Sequence, residues 1–341
     1  MLVDLRSDTV TRPGPEMRKA MAEAEVGDDV FGEDPTINRL QEMSAELIGK
    51  ESALYMASGT MSNQVALKSH THHGESVIVG EGAHTYLLES GAIVALSGVM
   101  PLVAGKGGTY TREEMIPLIV PKSIHNPQTT LVMVENTHNR GGGIIFPLPD
   151  IEEICAEAKS RGLKTHLDGA RVFNASVALG IKVKEITKHF DSVSFCLSKG
   201  LGAPVGSVLC GSREFINLAL RYRKMFGGGM RQAGILAAAG IYALEHNIER
   251  LAIDHQHAKK LALALEESPG IELDLNRVQT NIIIFGIKRK DLDALKLMVK
   301  LKEQGVLVLP VSKDQIRMVT HLDVSPEQID CAIKAFHQIL G

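Results

Sequence analysis

One lysine and one aspartate stand at the ends of two apolar stretches in positions that favour chemistry on a bound ring. Lys199 follows the apolar stretch 193–197, and Asp168 follows the stretch 163–167. A lysine amine sheltered at the end of a strand can attack an aldehyde and form a Schiff base. An acid on a neighbouring strand end can keep a pyridine nitrogen protonated, which makes the ring an electron sink. Each residue alone also fits a solvated or salt-bridged strand end, so the pair needs a third element.

The third element is an anion site at the junction 57–60, where Ser58, Gly59 and Thr60 separate an apolar strand candidate from a helix. Glycine lets the backbone approach an anion, and the hydroxyls and free amides of a helix N-terminus donate to it. A simple Ser/Thr helix cap is the alternative. Together the lysine, the aspartate and this junction indicate a site for a phosphorylated pyridine aldehyde.

Two other patterns in the sequence give weaker evidence for a binding site. The glycine-rich stretch 200–206 follows a strand as a dinucleotide loop does, but Pro204 and the strand-like 205–210 leave no helix after it, which excludes such a site. The histidines within 70–73 end a helix without Cys or acidic neighbours, so we expect a surface cluster there rather than a metal site.

The elements that must position these residues alternate between helical and strand patterns in the first two-thirds of the chain. Helices are expected over 35–50, over 58–70 and from Asp150 as N-cap to a stop at Gly162. The strands are expected at 53–57, 77–79, 99–103, 130–134, 163–167, 193–197 and 207–210. This order predicts a parallel sheet with helices on both faces, which binds ligands beyond the carboxyl ends of its strands.

After Gly229 the pattern changes to long helices, which are expected at 232–246 and 249–267, and then to that of a small α+β domain, with the boundary near 246–270. Further helices are expected at 292–304 and from Ser325, and strands at 271–275, 281–287, 306–311 and 315–320. We therefore expect an N-terminal segment over 1–30, a large α/β domain over 31–248 and a small C-terminal α+β domain over 249–341.

Composition agrees with a two-domain protein that acts on a small molecule. The 341 residues exceed the roughly 250 at which a single core stops growing. The net charge of -3 and the lack of a Lys/Arg run give no reason to expect a nucleic-acid partner. The longest apolar stretch, 233–244, is shorter than the roughly 20 residues of a membrane helix. With no signal-peptide pattern and four scattered cysteines, a cytoplasmic protein is expected.

The sequence closely resembles the low-specificity L-threonine aldolases, a family of fold-type I enzymes that depend on pyridoxal 5'-phosphate (PLP). The resemblance covers nearly the whole chain. It rests on the motifs Asp4-Leu-Arg-Ser-Asp-Thr-Val-Thr, Gly27-Asp-Asp-Val-Phe-Gly-Glu-Asp-Pro-Thr, Glu135-Asn-Thr-His-Asn, His166-Leu-Asp-Gly-Ala-Arg, Cys196-Leu-Ser-Lys-Gly-Leu, Ala203-Pro-Val-Gly-Ser, Gly227-Gly-Gly-Met-Arg-Gln and Arg317-Met-Val-Thr-His.

The resemblance implies an aspartate aminotransferase-like large domain with a mainly parallel sheet and a small α+β C-terminal domain. The implied reaction is the reversible cleavage of L-threonine or L-allo-threonine to glycine and acetaldehyde, a step of glycine biosynthesis and amino-acid catabolism. A homo-oligomer, built as a tetramer of two dimers, is also implied. Another fold-type I enzyme, such as a serine hydroxymethyltransferase-like enzyme, a β-eliminating lyase or an aminotransferase, is the nearest alternative. A non-catalytic PLP carrier is a more distant one.

The resemblance also assigns the cofactor residues. By it, Lys199 forms the Schiff base, Asp168 meets the pyridinium, and Arg171 bonds the phenolic oxygen or the substrate carboxylate. The phosphate would be held by Ser58, Gly59 and Thr60, the ring would stack on His84, and Arg231 would reach the cofactor region across a subunit interface.

Substrate contacts are expected from Ser7, Arg171 and Arg317, and proton transfer at the β-hydroxyl from His84 or His125. Without the resemblance, each of these would fit a plainer role. His84 would suit packing, His125 the turn before Pro127, and Arg317 a solvated strand position.

Two positions depart from patterns common in the family, and both bear on substrate preference. Phe31 stands where many relatives have tyrosine, and Leu88 stands where some have an aromatic residue.

Overall fold

A computed structural model describes all 341 residues. It contains thirteen strands, which are β1 (Val3–Asp4), β2 (Ser52–Met56), β3 (Ser76–Gly80), β4 (Met100–Ala104), β5 (Thr129–Glu135), β6 (Lys164–Asp168), β7 (Ser192–Cys196), β8 (Ser207–Gly211), β9 (Ile271–Glu272), β10 (Ile282–Ile287), β11 (Val306–Leu307), β12 (Leu309–Pro310) and β13 (Gln315–Val319).

Thirteen α-helices accompany them. They are α1 (Pro15–Ala22), α2 (Pro35–Ile48), α3 (Gly59–His70), α4 (His84–Leu87), α5 (Arg112–Met115), α6 (Leu148–Ser160), α7 (Val172–Leu179), α8 (Val183–Thr187), α9 (Arg213–Met225), α10 (Gly234–His246), α11 (Leu251–Glu266), α12 (Ala294–Glu303) and α13 (Pro326–Leu340). None of these helices combines the length and the apolar character needed to cross a lipid bilayer.

The central sheet has seven strands in the order β2-β8-β7-β6-β5-β3-β4. All pairs between β7 and β4 are parallel, but β8 runs antiparallel to both β7 and β2. The expectation of a wholly parallel sheet is therefore wrong at one strand, and the expectation of a mainly parallel sheet is confirmed. The reason is the connection 197–206, which contains no helix and is too short for a crossover between parallel strands.

Local signals explain where the helices begin and end. Helix α2 starts after the N-cap Asp34, whose side chain accepts from two backbone amides, and it stops at Gly49 in the left-handed region with φ 74°. Asp150 is not the N-cap of α6, as the sequence suggested. This helix begins three residues earlier, at Leu148 after the N-cap Pro147, because Pro149 fits its first turn, and Asp150 lies within that turn.

The C-terminal residues form a second unit around a four-stranded antiparallel sheet of order β12-β13-β10-β9. Its core also contains Val3 and Leu5, because β1 pairs in parallel with β11. The N-terminal segment thus packs first with the C-terminal unit and then continues toward the central sheet. The domain boundaries given above stay predictions.

Candidate active site

A cavity of about 310 Å³ lies at the carboxyl ends of β5, β6 and β7. Nine of the residues assigned from sequence line it, namely Ser7, Ser58, Gly59, Thr60, His84, Asp168, Arg171, Lys199 and Arg317. Such a size is typical of a small-molecule site. A larger groove of about 820 Å³ lies between α2, α7 and α10, but it holds none of these residues. The chemistry of the lining residues, and not the volume of the cavity, therefore identifies the candidate site.

Lys199 sits in the turn that follows β7. Its carbonyl oxygen accepts hydrogen bonds from the Thr11 hydroxyl at 3.1 Å and from the Gly202 amide at 2.8 Å. Both contacts hold the Lys199 carbonyl in place. The lysine amine is thus presented to the cavity from an ordered turn.

Asp168 is the last residue of β6 and is almost fully buried. Its Oδ2 accepts from the Asn63 amide at 2.8 Å and its Oδ1 from the Ala170 backbone at 3.2 Å. Burial raises the pKa of Asp168 to about 6, and the negative charge of Glu135 adds to the rise. A cationic partner such as a protonated ring nitrogen would stabilise this carboxylate.

The anion cradle opens helix α3. Ser58 is its N-cap, with the hydroxyl accepting from the Met61 amide at 3.2 Å. A Cβ at Gly59 would lie 2.8 Å from the Cys196 sulfur, so only glycine lets the helix start so close to the sheet. Amine, carboxylate and cradle line the same cavity and match an aldehyde, a ring nitrogen and a phosphate. The residues present therefore fit PLP.

His84 begins the short helix α4 and is held at two atoms. Its backbone amide donates to Glu135 Oε2 at 2.7 Å, and its ring Nδ1 lies 2.9 Å from Glu89 Oε1. The hydrogen bond to Glu89 raises the pKa of His84, and burial opposes that rise. The ring is therefore oriented by the protein rather than free to rotate.

Two arginines reach the cavity, but their partners differ. Arg171 makes a bidentate pair with Asp8, with both N–O distances at 2.7 Å. Burial opposes ionisation of Asp8, yet the charge and hydrogen bonds of Arg171 hold the pKa of Asp8 well below its usual value. Two of the three nitrogens of the Arg171 guanidinium are therefore already used within the protein.

Arg317, on β13, has no carboxylate partner. Its Nη1 donates to Asn139 Oδ1 at 2.8 Å and its Nη2 to the Arg6 carbonyl at 3.3 Å, while its buried Nε has no partner. Burial and the neighbouring charge of Arg171 lower the pKa of Arg317 to about 10, so it stays cationic at neutral pH. The positive charge of Arg317 is not balanced by a protein carboxylate, so this guanidinium is the one available to an anionic substrate group.

Several polar residues of the site were not foreseen from sequence. They are Asp8, Asn63, Glu89, Glu135 and Asn139, all buried. Glu135 could have been found, because it ends an apolar strand and pairs in register with Asp168. Asn63 and Glu89 carry no comparable signal, since only the fold brings α3 beside the residues that follow α4.

Two assigned residues do not reach this cavity within one chain. His125 is exposed on a loop in which the Ser123 hydroxyl accepts from the His125 amide. Arg231 is half exposed and pairs with Asp28 at 2.9 Å. Of the two family departures, Leu88 lines the cavity, whereas Phe31 lies outside it and is 72% exposed.

The histidine cluster expected on the surface is only partly there. His72 and His73 are exposed, but His70 turns inward, with Nε2 2.7 Å from the Ser192 hydroxyl and its ring stacked on Phe215. The chain contains no group of three or more His, Cys, Asp or Glu side chains arranged to hold a metal ion.

Comparison with known proteins gives a consistent family. Residues 4–288 match the family described as β-eliminating lyase. The chain is 47% identical over 330 residues to the low specificity L-threonine aldolase of Escherichia coli K12, covering 96% of both chains.

Solved structures agree in fold. The threonine aldolase of Leishmania major superposes with a TM-score of 0.84 at 20% identity, covering 99% of this chain and 100% of that one. A structure of SPT with its PLP internal aldimine gives a TM-score of 0.76 at 18% identity, covering 99% of this chain and 87% of that one.

Proposed function

Because this chain belongs to the β-eliminating lyase family and to its low-specificity L-threonine aldolases, we propose that it cleaves L-threonine and L-allo-threonine to glycine and acetaldehyde. The reaction is reversible, depends on PLP and extends to other β-hydroxy-α-amino acids. The observation that carries this proposal is one cavity in which Lys199, Asp168 and the Ser58–Thr60 cradle face a common space.

The same residues would hold the cofactor. Lys199 would be the covalent attachment point, Asp168 would face the ring nitrogen, and Ser58, Gly59 and Thr60 would donate to the phosphate. When bound, PLP supplies a conjugated cationic ring that accepts the electron pair of the breaking Cα–Cβ bond. His84 would lie against the cofactor ring, and Arg171 would have only its Nη1 left for the phenolic oxygen.

Substrate orientation falls to Arg317 and the N-terminal segment. The Arg317 guanidinium grips the α-carboxylate, because Arg171 is already paired with Asp8. Ser7 lies beside it in the cavity and donates a further hydrogen bond. Holding the carboxylate there would fix the orientation of the substrate and of its Cα–Cβ bond in the cavity.

Proton transfer at the β-hydroxyl needs a base in the cavity. His84 is the imidazole that one chain places there, and an imidazole suits this role at neutral pH. His125 is the second candidate. Its exposed loop would have to act in the cavity of another subunit.

We propose a homotetramer in which neighbouring subunits share these sites. Support comes from the exposed Phe31 and from His125 and Arg231, which both lie outside the cavity of their own chain. A cytoplasmic location is supported by the four cysteines, all of which are free thiols. Glycine biosynthesis and amino-acid catabolism are the processes that such an enzyme would serve.

One product assay tests the activity. Purified enzyme with PLP is given L-threonine, L-allo-threonine and their D-isomers, and acetaldehyde, glycine, ammonia and keto acid are measured. The proposal expects acetaldehyde and glycine in equal amounts from the L-isomers alone. Ammonia with a keto acid instead would identify a β-eliminating enzyme, and no turnover at all would identify a PLP carrier.

A further inference from the structure

The buried carboxylate of Glu89 lies beside the site and has no assigned part in the proposed reaction. Glu89 lies two residues past α4, and its side chain is 0% exposed. It accepts from Asn63 Nδ2 at 2.9 Å and from Gln64 Nε2 at 2.6 Å, and it pairs with His84 Nδ1 at 2.9 Å. Burying a carboxylate is unfavourable unless it is hydrogen-bonded and paired. Three donors around one carboxylate therefore indicate an arrangement built for it.

Asn63 joins this carboxylate to the cofactor site. The Ser194 hydroxyl donates to Asn63 Oδ1 at 3.0 Å, which turns the amide nitrogen toward the carboxylates. That nitrogen then donates one hydrogen to Glu89 and the other to Asp168. Both carboxylates accept a hydrogen bond from the same amide nitrogen. A substitution at Glu89 should therefore also alter the hydrogen bonding of Asp168.

The same carboxylate decides the state of the His84 ring. An ionised carboxylate can only accept, so the hydrogen of a neutral His84 ring lies on Nδ1, between it and Glu89. No protein group hydrogen bonds to Nε2, and in this tautomer Nε2 carries the lone pair. The tautomer that suits a base is therefore imposed by Glu89.

We propose that Glu89 is a positioning residue that holds His84 in the tautomer with a basic Nε2 and couples this ring to Asp168 through Asn63. The inference rests on the proposed function, since it assigns His84 the β-hydroxyl proton. In that step the O–H bond breaks, the proton moves to Nε2, and the O–H electron pair becomes the second C–O bond of the aldehyde. The electron pair of the Cα–Cβ bond stays on the Cα side, and Glu89 balances the new charge on the imidazolium.

The charges that face the His84 ring come from three parts of the fold. Glu89 raises the pKa of His84 most, Asp168 on β6 raises it further, and Lys199 after β7 lowers it. Glu135 on β5 contacts the His84 backbone amide. Removing the charge of Glu89 alone should therefore lower the pKa of His84 while leaving the other groups in place.

The test is Glu89→Gln in the holoenzyme, with the protein labelled at histidine Cε1 and followed by NMR. The His84 signal is identified by its loss in His84→Phe. We expect the His84 titration to move to lower pH in Glu89→Gln, and kcat at pH 8 to fall about tenfold because Nε2 is a weaker base. KM for L-threonine should change little, because Arg317 still holds the carboxylate.

Glu81→Gln is the matched control. It removes an exposed carboxylate near β3 that bonds only the Gly107 amide, so His84 should titrate as in the wild type. If Glu89→Gln does not fold, Glu89→Asp keeps the charge but is one methylene shorter. In that variant, the NMR chemical shifts of the His84 ring nitrogens should show a mixture of the two tautomers.

Two results separate the inference from the function on which it rests. A His84 titration unchanged in Glu89→Gln, or a single unchanged tautomer in Glu89→Asp, overturns the role of Glu89 whatever the activity. A shifted titration with unchanged kcat at every pH shows that Glu89 positions the ring but that His84 is not the base, which overturns the proton-transfer part of the proposal.

Discussion

At the scale of single residues, the two arginines of the site show what an isolated motif cannot decide. From sequence both Arg171 and Arg317 suit an α-carboxylate. In the fold, Arg171 is neutralised by Asp8 and Arg317 keeps only neutral partners. Charge balance therefore favours Arg317 over Arg171 as the proposed substrate-binding cation.

This difference predicts opposite outcomes for two substitutions. Arg317→Gln should raise KM for L-threonine by about 10- to 100-fold with the fold intact, since a hydrogen bond to a charged group contributes about 1.5 to 3 kcal/mol. Asp8→Asn leaves Arg171 buried without a counter-charge and should lower the free energy of unfolding by about 3 to 5 kcal/mol. Steady-state kinetics and denaturant unfolding measure the two effects.

Arg140→Gln is the control for the substrate effect, because this neighbouring arginine is exposed and does not line the cavity. Its KM should equal that of the wild type. If Arg317→Gln left KM unchanged while Asp8→Asn raised it with no loss of stability, the two arginines would have to exchange roles.

Lys199, Asp168 and the Ser58–Thr60 cradle could be singled out from sequence because each stands where an apolar strand gives way to polar or glycine residues. Glu89 and Asn63 could not. Their polarity is ordinary for surface positions, and only tertiary packing makes them buried. The sequence therefore indicated the proposed cofactor-binding groups better than the groups that hold them in place.

At the scale of elements, the strands of the central sheet lie within about a residue of their predicted positions, because buried strands are continuous apolar runs. The direction of β8 was missed, since it depends on the length of a connection rather than on the strand itself. The strand expected at 271–275 ends at Glu272, and the strand expected at 306–311 is divided because its first half pairs with β1 and its second half with β13. The residues that form a strand can be recognised from the local sequence, but the strands with which it pairs cannot.

Two histidines where α3 meets β6 and β7 predict an acid-sensitive fold. Burial lowers the pKa of His70 to about 4, and burial with the charge of His70 lowers the pKa of His166 to about 3. In the unfolded chain a histidine titrates near pH 6.5. Below that pH these histidines are protonated in the unfolded state but stay neutral in the folded state. The free energy of unfolding therefore falls from about pH 6.5 toward pH 4.

The measurement is Tm across pH 7 to 4.5 in the wild type and in His70→Gln. The variant should lose about 2 to 4 °C less than the wild type on acidification, even if it is less stable at pH 7. His72→Gln, an exposed neighbour, should follow the wild-type curve. Parallel curves for the wild type and His70→Gln would remove His70 from the explanation.

At the scale of the whole molecule, the N-terminal segment joins the two units. Val3 and Leu5 belong to the C-terminal core, Asp8 pairs with Arg171 of the large unit, and Thr11 bonds the Lys199 carbonyl. The small unit thereby takes part in positioning the Lys199 turn. A pattern of alternating elements predicted both units, but not that the first residues would pack with the last.

The exposed Phe31 predicts that assembly supports activity. Its loop is anchored by the buried pair of Asp29 with Arg223 at 2.8 Å, yet the ring is 72% exposed. In the proposed assembly, a neighbouring subunit would cover this apolar side chain. Phe31→Asp should dissociate the proposed tetramer in sedimentation and lower kcat by at least tenfold.

Leu295→Asp provides the matched control, since this leucine is 63% exposed on α12 of the C-terminal unit. It should leave both the assembly and kcat unchanged. A wild-type enzyme that sediments as a fully active monomer at assay concentration would contradict the shared-site proposal.

The most direct test of the whole account is the site of the cofactor's covalent link. The holoenzyme is reduced with borohydride, digested and mapped by mass spectrometry, alongside Lys199→Ala. We expect the reduced pyridoxyl group on Lys199 alone, and neither label nor acetaldehyde release in the variant. A label on any other lysine of the active wild-type enzyme, or undiminished threonine cleavage by Lys199→Ala, would contradict the account.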